Sequence, residues 1–208
     1  MSEPHILHPG LNIGQTDQEG HEQAEPIMFG FWVFLMSDLI LFALLLATYA
    51  SMTVHGIAAG PTPRDVTDLR SAAIETGLLL TSSFTFGLGS LALKYRGDVA
   101  GIFVWLGLTA LLGLAFLGME VRDFVKLIGE GAIPQRSGFL SAHFTLLGTH
   151  FLHVAAAILW LAILFVQTLM WGVSRAVSLR IMRLALFWHM LDVVWIALFT
   201  FVFLAGAA

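Results

Sequence analysis

Residues 184–203 read LALFWHMLDVVWIALFTFVF, an apolar run interrupted by His189 and Asp192. About 20 such residues in a helix cross the hydrocarbon of a bilayer. His189 and Asp192 stand three apart and so share one helical face, with Trp188 and Trp195 beside them. A charge near the centre of a membrane helix costs roughly 2.5–3.5 kcal/mol on insertion scales, so Asp192 is expected to face protein and not lipid. The rest of the chain must supply what that face packs against.

It has the composition to do so. Of 208 residues 58% are hydrophobic and 12% charged. A soluble domain carries about 25% charged residues, so this is an integral membrane protein. Cysteine is absent, which excludes disulfides, thiolate metal sites and covalently attached c-type haem. The formal net charge of −4 is spread over tails and loops and points to no nucleic-acid partner.

Apolar spans fall at about 27–52, 72–94, 99–118, 139–171 and 182–204. The expected fold is all-α: a polytopic membrane protein, a bundle of five transmembrane helices. Residues 1–26 form a separate segment with Glu3, Asp17, Glu19, Glu22 and Glu25 and no Lys or Arg, an acidic, flexible N-terminal tail lacking the basic start and apolar heart of a signal peptide. Its His5, His8 and His21 have no spacing that fixes a metal. The fourth span, if wholly helical, is about 50 Å long and must tilt or project beyond the membrane.

Charge orients the bundle weakly. With the amino terminus inside, Lys94, Arg96, Arg175, Arg180 and Arg183 are cytoplasmic, and Arg64, Arg70, Arg122, Lys126 and Arg136 lie opposite. The tally is a tie. Only the acid-free cluster Arg175, Arg180 and Arg183 favours a cytoplasmic amino terminus.

Steps of two small residues at Ala43/Ala47, Ser83/Gly87 and Thr109/Gly113 either let backbones approach or arise by chance in a Gly/Ala-rich chain. Residues 87–92 match a dinucleotide fingerprint on paper but follow no strand. The connection 118–134, with Glu120, Arg122, Asp123, Lys126 and Glu130 among apolar residues, suits a helical extension at the membrane surface or a solvated loop.

Further ionisable residues lie within spans. Asp38 is near the middle of the first, Glu75 near the start of the second, and His143, His150 and His153 in the fourth. They serve as a proton relay, an ion pathway or haem ligands, or as buried groups bonded to neighbouring helices. Burial cost favours an inward Asp38 and Glu75, on helices that are candidates for neighbours. Haem needs opposed imidazoles, and His150 or His153 with His189 is the available pairing. Two histidines three apart on one helix cannot grip both faces, and His189 already has Asp192. No H-E-x-x-H or G-x-S-x-G hydrolase motif occurs.

The strings FGFWVFLMSDLILFALLLATYA, RSGFLSAHFTLLGTHFLHV and LFWHMLDVVWIALF resemble subunit III of haem–copper terminal oxidases over nearly everything from Ile27 to the end. The markers are Trp188, His189, Asp192, Val194 and Trp195, then Gly148–Val154, then Glu75. The finer match is to the five-helix subunit of bo-type ubiquinol oxidases; the first two helices of the seven-helix form have no counterpart, and Gly138–Ala142 also favours the quinol branch.

That resemblance implies a subunit without haem, copper or catalytic residues. Oxygen reduction and pumping belong to subunit I, its main contact, with subunits II and IV in the same complex. It implies bound phospholipid in a cleft between helices, a part in complex stability and sustained proton uptake, and a bacterial plasma membrane with cytoplasmic amino and periplasmic carboxyl termini. Asp38, Glu75, His150, His153, Trp188, His189, Asp192 and Trp195 are the candidate buried polar or lipid-cleft residues. A haem b membrane anchor and a small independent transporter are the alternatives; the transporter is disfavoured by the lack of internal repeats.

Overall fold

The computed structural model describes residues 18–57, 60–95, 99–172 and 174–207. They are helical almost throughout. Helix α1 spans Gln18–His55, the short α2 Pro63–Val66, α3 Leu69–Tyr95, α4 Val99–Gly129, α5 Gly138–Trp171 and α6 Arg175–Leu198. A π-helical turn, Phe199–Leu204, continues α6 into the terminal turn Ala205–Ala207, here α7.

The helix ends are set locally. The Asp68 side chain accepts from the Ser71 amide at 3.2 Å at the start of α3. Ser137 accepts from Leu140 N at 3.1 Å before α5, and Ser174 from Val177 N at 3.3 Å before α6. Each satisfies an amide that has no partner inside its own helix. α5 ends at Gly172, whose φ of 69° and ψ of −170° lie in a positive-φ region that glycine, without a Cβ, adopts readily.

Two boundaries differ from the sequence expectation. α1 starts at Gln18, inside the segment read as a flexible tail, because the polar residues 18–26 extend an already formed helix; residues 1–17 lie outside the described part. α4 continues to Gly129 past the expected end near 118, so the charged connection is a helical extension and not a loop.

Among the described residues, four stretches are long and apolar enough to cross a membrane: Met28–His55, Ala100–Gly129, Gly138–Met170 and Ala176–Leu204. The chain is thus an all-α, polytopic membrane protein with four apolar candidate spans. α3, expected as a fifth, is a helix of 27 residues but is diluted by Ser71, Thr76, Thr81, Ser82, Ser83, Thr85 and Ser90. Large apolar side chains stand exposed on every long helix, among them Leu44, Phe84, Leu111, Leu159 and Val193. That outer surface is tenable in lipid and not in water.

Packing follows a 3.5-residue repeat. The buried stripe of α6 is Val177, Ile181, Leu184, Trp188, Leu191, Trp195, Leu198 and Val202, alternating four and three as in left-handed supercoiled bundles. α4 repeats the pattern with Ile102, Leu106, Thr109, Phe116, Glu120 and Leu127, and α3 with Ala72, Glu75, Leu79, Ser82 and Phe86. α6 is the central helix: 56% of its apolar window is buried within the chain, against 17% for α1. It packs on α1, α3 and α5, while α4 closes against α3 and α5. Among the small-residue steps, Thr109/Gly113 lies at a contact, with Thr109 Oγ1 2.8 Å from Thr85 Oγ1. Ala43 and Ala47 face outward, so that step joins no helices within this chain.

Candidate functional site

Two tryptophans fasten α6 to α3. Trp188 Nε1 donates to Ser82 Oγ at 3.1 Å, and Trp195 Nε1 to Thr76 Oγ1 at 3.0 Å. The acceptor hydroxyls donate in turn to Leu79 O and Ala72 O, each at 2.7 Å. Seven residues on α6 thus match six on antiparallel α3, and neither indole N–H is left unpaired in an apolar interior. The rings also fill volume, Trp188 stacking on Phe86 with centroids 6.2 Å apart and Trp195 meeting Phe116 edge-on at 4.8 Å.

His189 and Asp192 do share a face. His189 Nδ1 lies 2.7 Å from Ser83 Oγ and 3.7 Å from Asp192 Oδ2. The imidazole is half exposed while the carboxylate is buried, and neither Asp192 oxygen has a hydrogen-bond donor. The expectation that Asp192 turns inward holds; the exposed edge of His189 gives the outer surface of α3 and α6 a polar point.

The remaining acids and histidines form two separate groups. His153 Nδ1 donates to Thr149 O at 2.7 Å, and its Nε2 lies 3.6 Å from Asp38 Oδ2. His150 Nε2 lies 3.3 Å from Leu191 O, its ring enclosed by Phe42, Phe116 and Trp195. Glu75 stands elsewhere, lining a cavity with Glu120 and His143. Asp38 and Glu75 lie on successive spans that were candidates for neighbours. They are apart because α1 packs on α5 and α6 whereas α3 packs on α4 and α6.

The charges around Glu120 point to a surface extension or a solvated loop. The 4% exposure of Glu120 puts it in the core. The missed signal is its register: it lies four residues after Phe116 and seven before Leu127, on the stripe described above.

At the end of the bundle that holds α2, the start of α3 and the last turns of α4, charges are paired. Asp65 Oδ2 accepts from Thr62 N at 2.8 Å and from Thr62 Oγ1 at 2.7 Å, and these bonds hold its carboxyl below the usual carboxylate range. The Ser71 amide lowers Asp68 likewise, aided by Lys126 at 3.5 Å. Asp123 accepts from Ser71 Oγ at 2.5 Å and from Arg122 Nε at 2.9 Å. Between α1, α2 and α7 lies an open groove of about 530 Å³ with apolar walls at Leu46 and Phe201 and polar groups at Tyr49, Thr53, Thr62 and Arg64.

Among the described residues no group of three or more His, Asp or Glu side chains is placed to hold a metal ion. Both ring nitrogens of His153 face oxygen atoms of this chain. The site is a set of polar contacts between helices, most of them buried.

Comparison with known proteins agrees along the whole bundle. The family model described as cytochrome c oxidase subunit III matches residues 15–207. The chain is 46% identical over 195 residues to cytochrome bo(3) ubiquinol oxidase subunit 3 of Pseudomonas aeruginosa, covering 94% of this chain and 92% of that one. It is 47% identical over 186 residues to the protein of the same name in Pseudomonas putida, with 89% of each covered. Quinol oxidase subunit 3 of Bacillus subtilis is 39% identical over 179 residues, covering 86% of this chain and 87% of that one.

Proposed function

The chain belongs to the cytochrome c oxidase subunit III family, and from that premise we propose that it is the non-catalytic third subunit of a quinol oxidase in an aerobic respiratory chain. The observation that carries this is near-full-length similarity to relatives named ubiquinol or quinol oxidase subunit 3. Interior polar side chains that tie helix to helix, Trp188 to Ser82, Trp195 to Thr76 and Thr85 to Thr109, support a structural role. The oxidase complex as a whole reduces oxygen with quinol, and this chain contributes helix packing, complex stability and sustained proton uptake.

Subunit I is the main partner, with subunits II and IV in the assembly, and subunit I carries the haems and copper. Supporting a protein partner within the membrane, the half-exposed His189 and its Ser83 contact sit on an otherwise apolar outer face, where a polar group is costly against lipid alone. In this reading α3 is the fifth crossing, with Thr76, Ser82 and Ser83 bonded to α6 and Ser71 and Thr85 to α4. The amino terminus is cytoplasmic and the carboxyl terminus periplasmic in a bacterial plasma membrane, and the acidic residues 1–26 precede the transmembrane domain 27–208. Phospholipid is the expected occupant of an outer cleft; the groove beside Tyr49 and Arg64, apolar walls below polar groups, has the chemistry for one. Asp38, Glu75, His150, His153, Trp188, Asp192 and Trp195 act as the buried polar groups of the bundle, with the half-exposed His189 at its outer edge.

A tag on this chain should co-purify the other oxidase subunits in mild detergent, with ubiquinol oxidase activity and bound phospholipid. All haem should partition with subunit I when the subunits are separated. A stoichiometric b-type spectrum on this chain would overturn the assignment in favour of a haem b anchor, and purification of the chain alone in active transport form would favour a transporter.

A further inference from the structure

Glu75, Glu120 and His143 come from three different helices, α3, α4 and α5, and line one cavity of about 40 Å³. The three side chains are 1%, 4% and 2% exposed. Glu75 Oε1 and His143 Nδ1 have no hydrogen-bond partner in the chain. Leaving such atoms dry is costly, more so if they are charged, and apolar side chains would serve a site needed only for packing. The volume of about 40 Å³ is right for solvent: one water needs roughly 10–15 Å³ of such space, so the cavity takes about three.

Its position is equally specific. Glu75 follows the start of α3 at Leu69, Glu120 precedes the end of α4 at Gly129, and His143 follows the start of α5 at Gly138. At 1.5 Å per residue the chamber lies about 7–14 Å below one end of the bundle. Asp68, Asp123 and Lys126 complete its wall on that side, and Asp68 and Lys126 are half exposed. The chamber floor is Leu147 and Phe203, the latter from the π-helical turn. No other titratable group lines it. The nearest cations each have another carboxylate partner, Lys126 with Asp68 and Arg122 with Asp123.

We propose that this chamber is a proton-binding site, in which about three waters and one shared proton are held between the Glu75 and Glu120 carboxyl groups, with His143 as a further hydrogen-bonding partner of the water. Two carboxylates facing one desolvated chamber repel, and a single proton between them relieves the repulsion while water satisfies the remaining oxygens. Asp68 and Lys126 place the chamber within reach of bulk solvent at the membrane surface. The site goes beyond the oxidase assignment, since its occupancy follows from this chain alone.

The test uses the intact complex purified through this chain. High-resolution cryo-electron microscopy should show ordered solvent touching both carboxyl groups. Infrared titration in H2O and D2O should show an exchangeable carboxylic-acid C=O band. That band should disappear at least one pH unit lower in Glu75→Gln or Glu120→Gln than in the wild type, a tenfold loss of proton affinity on removing the second carboxyl group. A dry chamber would overturn the proposal. So would bands that titrate independently, each acid unmoved by substitution of the other. If either variant fails to assemble, the wild-type solvent density and D2O-sensitive band decide the matter, and the absence of either refutes it.

Discussion

Gly113 sits where α4 crosses the central tryptophan of α6. A methyl group built there would meet Trp188 Cη2 at 2.8 Å, Ile158 Cδ1 at 3.1 Å and Trp188 Cζ2 at 3.3 Å. Trp188 is 1% exposed, and its indole is fixed by Ser82 at 3.1 Å and by the stacked Phe86 ring, so it cannot swing aside. Overpacking a filled core costs about 1–3 kcal/mol. Replacing glycine by alanine within a helix returns about 0.5–1 kcal/mol. The clash wins, and Gly113→Ala should be destabilising by up to about 2 kcal/mol. Gly107 on the same helix has nothing within 4 Å of its added methyl, so Gly107→Ala keeps only the gain.

The assay is the thermal midpoint for release of this chain from the detergent-solubilised complex. At about 2–4 °C per kcal/mol for a chain of this size, the two variants should move in opposite directions. Trp188→Phe removes the two clashing ring carbons. Combined with Gly113→Ala it should cost less than the sum of the single changes by about 1 kcal/mol or more, within the range for residues in contact. Equal midpoints for Gly113→Ala and Gly107→Ala, or strict additivity of the double variant, would refute the close approach.

Trp195→Phe should lower the same midpoint by an amount that includes about 0.5–1.5 kcal/mol for the lost Thr76 hydrogen bond; in a Thr76→Val background that share should vanish. Asp68→Ala should cost about 0.5–2 kcal/mol by uncapping α3, while Asp68→Asn should cost little because asparagine also caps. Since the native bonds hold Asp68 below its ordinary value of 3.8, its charge-dependent stabilisation is complete above that value and lost as pH falls through the lower native one. Wild type should therefore weaken in acid more than Asp68→Asn, as read from midpoints across a pH series. Alkaline phosphatase fused after Ala208 should be active, marking a periplasmic carboxyl terminus; high activity of a cytoplasmic reporter there would reverse the topology.

Much of this architecture is written along the chain. The burial cost of Asp192 in an apolar run and its spacing from His189 dictated one inward face, and the two lie 3.7 Å apart. Apolar length placed α5 within a residue of its observed start at Gly138. These are local properties: hydropathy, length and periodicity act within one helix and need no knowledge of its neighbours. Partnership is different, because it depends on which helices meet and in what rotation. The same chain that shows Asp38 and Glu75 on successive spans cannot show that α1 turns to α5, giving Asp38 to His153. Nor does a charged stretch after residue 118 announce that α4 continues as helix. Only tertiary packing carried Glu120 inward to Glu75 and His143, because rotation about the helix axis is fixed by the whole stripe from Ile102 to Leu127 and not by the charges surrounding one residue.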